Sequence, residues 1–215
     1  MPKRIDDRSA RTEHVYATVA RIVGTEGVAA ATVRRVAVEA GLSPAAIRHL
    51  WPSQERLHLR TVQWLVRNAR GPLPWHDSDE EPIVRLRRTL QALLPSDETQ
   101  RQRLRALAAF AATAAPGSTM SEVIEADHRQ CVSLIARELR YYEVQTSDTP
   151  PPAIVQIVQG MRPIGPDSVP PSALSLLVLV EGLTALTTRE HAPLSPDDAD
   201  RWLGRLEHRH LDWGA

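Results

Sequence analysis

Apolar residues recur every three or four positions through most of this chain, and no stretch alternates apolar and polar residue by residue. That period belongs to helices with one buried face and leaves little material for a half-buried sheet. Val15, Val19, Ile22 and Val23 set it first, in a helix expected from Ser9 to Glu26 with Gly27 as its stop. Thr32 is placed to cap a second helix, with Val33, Val36, Ala37 and Ala40 on its inner side, and Gly41 ends it. Ser43 and Pro44 open a short third helix that Pro52 closes. Ser53 opens a fourth, carrying Leu57, Val62, Leu65 and Val66. The expected fold class is all-α.

Gly71-Pro72-Leu73-Pro74 breaks the pattern and marks the expected domain boundary. Residues 1–60 read as a three-helix N-terminal domain, its fourth helix continuing to about 70. Residues 71–215 read as a second helical domain. Within it, helices are expected over Pro82 to Leu94, Thr99 to Ala115 and Thr119 to Tyr142. The Pro-rich stretch Thr146 to Pro171 encloses Ala153 to Gly160 as a short helix. Ser172 to Thr188 is apolar on nearly every side, so it must be covered all round, in a core or a subunit interface. Ser195-Pro196-Asp197-Asp198 starts a final helix ending near His210, with acids suited to its first turn.

At 42% apolar and 24% charged, the 215 residues have the makings of a folded soluble protein. The single cysteine, Cys131, fits a reducing compartment, and residues 1–8 hold no apolar run of a signal peptide, so a cytoplasmic location is expected. Ala173 to Leu186, the longest apolar stretch, is shorter than the roughly 20 residues a bilayer needs, and no membrane partner is expected. Net charge is zero, but residues 1–70 hold 12 Lys+Arg against 6 Asp+Glu while the rest is acidic to the same extent. A basic end on an otherwise acidic chain points to an anionic partner there. Only Lys3 among the 26 basic residues is lysine, and guanidinium is the better bidentate binder of phosphate and guanine.

The segment Thr32 to Trp51 has the physical layout of a helix-turn-helix. One helix packs by Val33, Val36 and Ala37, Gly41 permits a tight turn, Leu42 plugs the gap, and Ile47 and Leu50 anchor the second helix from below. That leaves Ser43, Pro44, Ala45, Arg48 and His49 free to enter a major groove, which is about as wide as a helix. The other interpretation of the same segment is a three-helix module that docks on a protein partner. Arg34 is a further DNA-contact candidate, ahead of Arg35, and Arg4, Arg8 and Arg11 form either an arm toward phosphates and the minor groove or a disordered tail.

The stretch resembles the signature of the tetracycline-repressor (TetR) family of transcriptional regulators. Thr32-Val33, Ala37-Val38-Glu39-Ala40-Gly41, Ser43, His49-Leu50-Trp51 and Ser53-Gln54-Glu55-Arg56-Leu57 follow in the family's order over residues 11–60. Val180-Glu181-Gly182-Leu183 and Leu194-Ser195-Pro196-Asp197-Asp198-Ala199 resemble the end of many members, where two helices form the dimer interface. Arg48 stands where members commonly have an aromatic residue, and Gln54 where they commonly have lysine. The DNA-contacting set read from residues and resemblance together is Arg8, Arg11, Thr32, Arg34, Ser43, Pro44, Ala45, Arg48, His49 and Gln54.

The resemblance implies a ligand-released repressor that binds a palindromic operator in double-stranded DNA as a homodimer, with an unidentified small-molecule effector in the C-terminal domain. The dimer is expected through Ser172–Thr188 and Ser195–His210, with Leu176, Leu179, Val180 and Leu183 at the crossing point. Leu86, Leu90, Leu107, Met120, Ile124, His128, Leu177 and Glu181 are candidates to line the effector cavity, though the apolar ones describe a core equally well. Glu181, inside an apolar helix, must be paired, hydrogen-bonded or protonated. Pairing with Arg129 or Arg137 is the structural reading and ligand contact the functional one.

His128 and Cys131 lie three apart beside Glu125 and Asp127, but a lone cysteine on an apolar helix is more often core than a metal ligand, so no metal is assigned. Trp202 and Trp213 are read as packing anchors, and His208 and His210 as surface. There is no Gly-x-Ser-x-Gly, phosphate-binding glycine loop, HExxH or CxxC, so neither catalytic residues nor a cofactor are assigned.

Overall fold

The computed structural model describes residues 3–71, 80–146, 171–188, 194–195, 197–199, 201 and 203; for 3–8, 143, 146, 171–175 and 177 it describes the backbone only. Among the described residues every regular element is helical. In chain order they are α1 (Lys3–Glu26), a 3-10 turn (Val28–Ala30), α2 (Val33–Glu39), α3 (Pro44–Leu50), α4 (Gln54–Asn68), α5 (Pro82–Leu93), α6 (Glu98–Thr113), α7 (Thr119–Thr146) and α8 (Pro171–Thr188). The expected short helix at 153–160 lies outside the described residues, as do Trp75, Trp202, Trp213, His208 and His210. Among the described residues no helix is long and apolar enough to cross a membrane.

The chain forms two compact units. The first comprises residues 1–70 together with 97–126, and the second 71–96 with 127–215. Residues of α6 and the first turns of α7 fall in the unit of the N-terminal helices. Their side chains account for this. Ala106, Leu107 and Phe110 are buried in one core with Val15, Val19, Ile22 and Val23 of α1 and Leu57, Val62 and Leu65 of α4. Gly24 makes the approach close: a Cβ there would lie 2.9 Å from the Gln102 carbonyl oxygen of α6. Arg103 of α6 sits 4.8 Å over the Trp64 ring and donates to the Asn68 carbonyl at 2.9 Å, so it covers the C-terminal end of α4, where helix carbonyls lack partners.

The core of the second unit joins Leu86, Leu90 and Leu93 of α5, Cys131, Ile135, Ala136 and Leu139 of α7, Leu176, Val180 and Leu183 of α8, and Ala199 and Leu203 beyond it. Ser195 and Asp198 open that last helical segment reciprocally: Asp198 N–H donates to Ser195 Oγ at 3.1 Å, and Ser195 N–H to the Asp198 carboxylate at 3.0 Å. The Ser195 hydroxyl, which donates to the Asp198 carboxylate at 2.7 Å, and then the Ser195 N–H, joined by the neighbouring Arg201, hold the Asp198 carboxyl below its ordinary range.

Candidate nucleic-acid interface

The geometry of α2 and α3 follows from local chemistry. Thr32 Oγ1 accepts from the Arg35 N–H at 3.2 Å and starts α2. At the other end, Leu42 N–H donates to Ala37 O at 2.9 Å and Gly41 N–H to Val38 O at 3.2 Å, the paired bonds of a Schellman stop. Gly41 has φ +65°, which a side chain would strain. Leu42 then tucks against the core, and Ser43 Oγ accepts from Ala46 N–H at 3.1 Å to start α3 with Pro44 in its first turn. Ile47 is fully buried, fixing α3 from below. Trp51 closes α3 by donating its N–H to Ile47 O, and its indole donates to the Tyr16 hydroxyl of α1 at 3.3 Å. Ser53 caps α4 through Arg56 N–H.

The candidate contact side chains lie outside this packing. Thr32, Arg34, Ser43, Ala45, Arg48, His49 and Gln54 are exposed, and Pro44 is half-buried. Arg34 and Arg48 make no ion pair among the described residues. Arg35 is different: it bonds Glu39 and Glu26, and Arg21 of α1 also pairs with Glu39. That exposed network braces α2 on α1, so Arg35 is engaged within the protein. Arg8 lies where only the backbone is described, and Arg11 is exposed. Of the two readings of Arg4 to Arg11, the disordered tail is corrected: the backbone is helical from Lys3, six residues ahead of Ser9. Nothing between Lys3 and Ser9 breaks a helix, since Asp6, Asp7 and Arg8 all tolerate one.

The candidate effector residues fall in separate places. Leu107, Met120 and Ile124 pack on the core of the first unit, and Leu86 and Leu90 in that of the second. The Leu177 side chain lies outside the described residues. Glu181 is not the buried carboxylate expected from its apolar surroundings: its side chain is 53% exposed and pairs with His128 Nδ1 at 3.0 Å, not with Arg129 or Arg137. The reason is the face it occupies. Leu176, Val180 and Leu183 point into the unit's own core, and Val178, Glu181, Gly182 and Ala185 fall on the opposite, exposed side. The crossing point expected at Leu176, Val180 and Leu183 is therefore core within the single chain, with only Leu179 half-buried.

The buried carboxylate of the second unit is Glu138 of α7, which the sequence offered no signal for beyond its place in a helical period. It accepts from Arg85 Nε at 2.5 Å and from Arg137 Nε at 2.9 Å. Burial pushes its carboxyl up, but the two guanidinium groups outweigh that and hold it below the ordinary range. Cys131 is buried in the same core. Among the described residues no three His, Cys, Asp or Glu side chains are grouped as metal ligands.

No family model matches the chain. A transcriptional regulator from Rhodococcus sp. Rha1 superposes with a TM-score of 0.64 at 23% identity, covering 91% of this chain and 93% of its own. The TetR-family transcriptional regulator PfmR from Thermus thermophilus does so at 0.61 and 17%, covering 93% and 96%. The chain has the TetR-family regulator fold. A transcriptional regulator from Saccharomonospora viridis, solved in complex with choline, gives 0.69 at 18%, covering 94% and 97%. In sequence, the HTH-type transcriptional regulator PksA of Bacillus subtilis (strain 168) is 28% identical over 131 residues, 60% of this chain and 61% of that protein. The alignment thus spans less than two thirds of the relative it matches.

Proposed function

We propose that this chain is a DNA-binding transcriptional regulator that represses from a palindromic operator as a homodimer and is released by a small-molecule effector. The observation that carries it is the outer surface of α2 and α3, where Arg34, Arg48 and His49 stand exposed, neither arginine in an internal ion pair among the described residues, on a helix anchored by Ile47. A guanidinium with no internal partner gives up only water on meeting a phosphate or the O6 and N7 of guanine. Thr32, Ser43, Pro44, Ala45 and Gln54 flank it on the same surface, and the +6 charge of residues 1–70 supplies long-range attraction. Regulators of the same fold, and PksA over the aligned region, support this reading.

The exposed side of α8 is the subunit contact in this account. Val178, 71% exposed, lies with Gly182 and Ala185 on one side of the helix, and small residues let a symmetry-related α8 approach closely. Such a dimer sets two copies of α3 about 34–36 Å apart, one DNA turn. An effector in the second unit releases DNA by binding better to a conformer with another spacing, and only by that difference in affinity. The choline of the Saccharomonospora viridis protein illustrates a small ligand on this fold.

The test is a mobility-shift titration with the DNA upstream of the protein's own gene. Retarded, competitor-resistant complexes that weaken steeply with added salt are expected. No retained fragment contradicts the reading.

A further inference from the structure

α2 can present α3 correctly only if its own start is fixed. The residue before its cap is Ala31, which is fully buried and closes the 3-10 turn with φ −80° and ψ 53°. His58 of α4 reaches across 27 positions to place Nε2 at 2.9 Å from the Ala31 carbonyl oxygen. The same ring, 6% exposed, meets Phe110 of α6 edge-on, with centroids 5.4 Å apart at 63°. One imidazole therefore joins α4, the start of α2 and α6 inside the first unit.

We propose that His58 is a positioning residue for DNA binding: its Nε2–H bond to the Ala31 carbonyl holds the start of α2 on α4, and a second proton on the ring loosens that hold. The DNA consequence rests on the function proposed above; the structural hold does not.

A neutral imidazole has one N–H, and here Ala31 takes it. The second proton goes to Nδ1, which has no acceptor among the described residues. Burial lowers the ring's affinity for that proton more than the Ala31 bond raises it. Among the described residues no carboxylate pairs with the ring to offset that cost, and the nearby guanidinium groups would only add to it. Arg21 and Arg35 are engaged with Glu39 and Glu26, Arg103 with Trp64 and Asn68, and Arg101 and Arg105 with Glu98. On α4 itself Arg60 bonds Gln63, and Glu55 and Arg56 are exposed. Burial and the Ala31 bond are the influences acting on the ring. A cation there is relieved by moving the ring or the Ala31 segment toward water. α2 follows, and α3 with it, because the Gly41 turn joins the two helices rigidly.

His49 is a second histidine to account for. It is exposed on α3, on the surface assigned to DNA, so the DNA measurement belongs in a His49→Gln background that keeps this second imidazole out of the comparison. The experiment compares the full chain at about pH 7.5 and about pH 5.5. Amide exchange over residues 30–37, corrected for intrinsic rates, is expected to lose protection about tenfold in acid, while residues 61–65 of α4 hold theirs. His58→Gln, which keeps a neutral donor, is expected to remove that loss. Operator affinity of His49→Gln should fall about tenfold in acid, and that of the double variant should stay level. Equal protection of 30–37 at both pH values overturns the proposal, as does the same loss in His58→Gln. Should that variant fail to fold, the wild-type exchange and the His58 ring titration by NMR decide: a ring that titrates as a free histidine with no change at 30–37 overturns it. Absence of any operator binding at pH 7.5 refutes the regulator reading, and the exchange result still judges His58.

Discussion

Arg85 of α5 and Glu138 of α7, 53 positions apart, form a hydrogen-bonded ion pair in which the carboxylate is fully buried and the guanidinium also lies 4.2 Å over the Tyr141 ring. Removing Arg85 leaves the buried charge to Arg137 alone, whose side chain is mostly exposed. Arg85→Met is expected to destabilise the chain by about 3–5 kcal/mol in urea unfolding. Glu138→Leu together with Arg85→Met should cost less than the two single changes summed.

The pair also sets an acid limb. The Glu138 carboxyl is held below its unfolded value of 4.5, so the folded state binds fewer protons there than the unfolded one. Its stabilisation is complete above that value and is lost as pH falls through it toward the lower folded value. Urea unfolding between about pH 6 and pH 3 should therefore be less steeply pH-dependent in Glu138→Gln than in the wild type.

Gly24 lets α1 approach α6 closely. The atom a Cβ would meet at 2.9 Å is the Gln102 backbone oxygen, which cannot swing aside as a side chain can. Gly24→Ala is expected to cost about 1–3 kcal/mol and to change Trp64 fluorescence, because Arg103 on the displaced helix lies over that ring. Unchanged stability and emission would show that α6 is not held this tightly.

These contacts also mark what was legible in the sequence. The caps at Thr32, Ser43 and Ser53 and the turn at Gly41 are local chemistry, complete within three or four residues, and each stands where its residue type places it. So does the apolar stripe Val15, Val19, Ile22 and Val23. The outward Arg34 and Arg48 follow from that framework, since the inner side of each helix is already taken. What sequence could not supply depends on which helix faces which. The pattern of α6 says that one side is buried, not that α1 and α4 bury it. Glu181 looks enclosed by apolar neighbours in sequence, yet a 100° step per residue puts it outside while Val180 goes in. Arg35 resembles Arg34 until Glu26 and Glu39 are placed beside it.

The two sides of α8 separate core from the proposed subunit contact. Leu183→Ala, on the buried side, should destabilise the chain by about 2–5 kcal/mol. Val178→Glu, on the exposed side, should leave the fold intact and convert the proposed dimer into a 23.9 kDa monomer in sedimentation, by bringing like charges together at its two-fold axis. A wild type that sediments at that mass at micromolar concentration would remove the subunit contact from the account.

Arg48 decides whether α3 reads DNA. The measurement is fluorescence anisotropy of a palindromic fragment from upstream of the gene, and of random DNA, titrated with wild type, Arg48→Ala and Gln54→Ala over a range of salt. Wild-type affinity should fall linearly in log–log terms as salt rises. Arg48→Ala should lose about 1–3 kcal/mol on the palindromic site and little on random DNA, and Gln54→Ala should change little on either. A salt-independent signal, equal affinity for both DNAs, or full specific binding by Arg48→Ala would contradict the assignment of this surface to DNA.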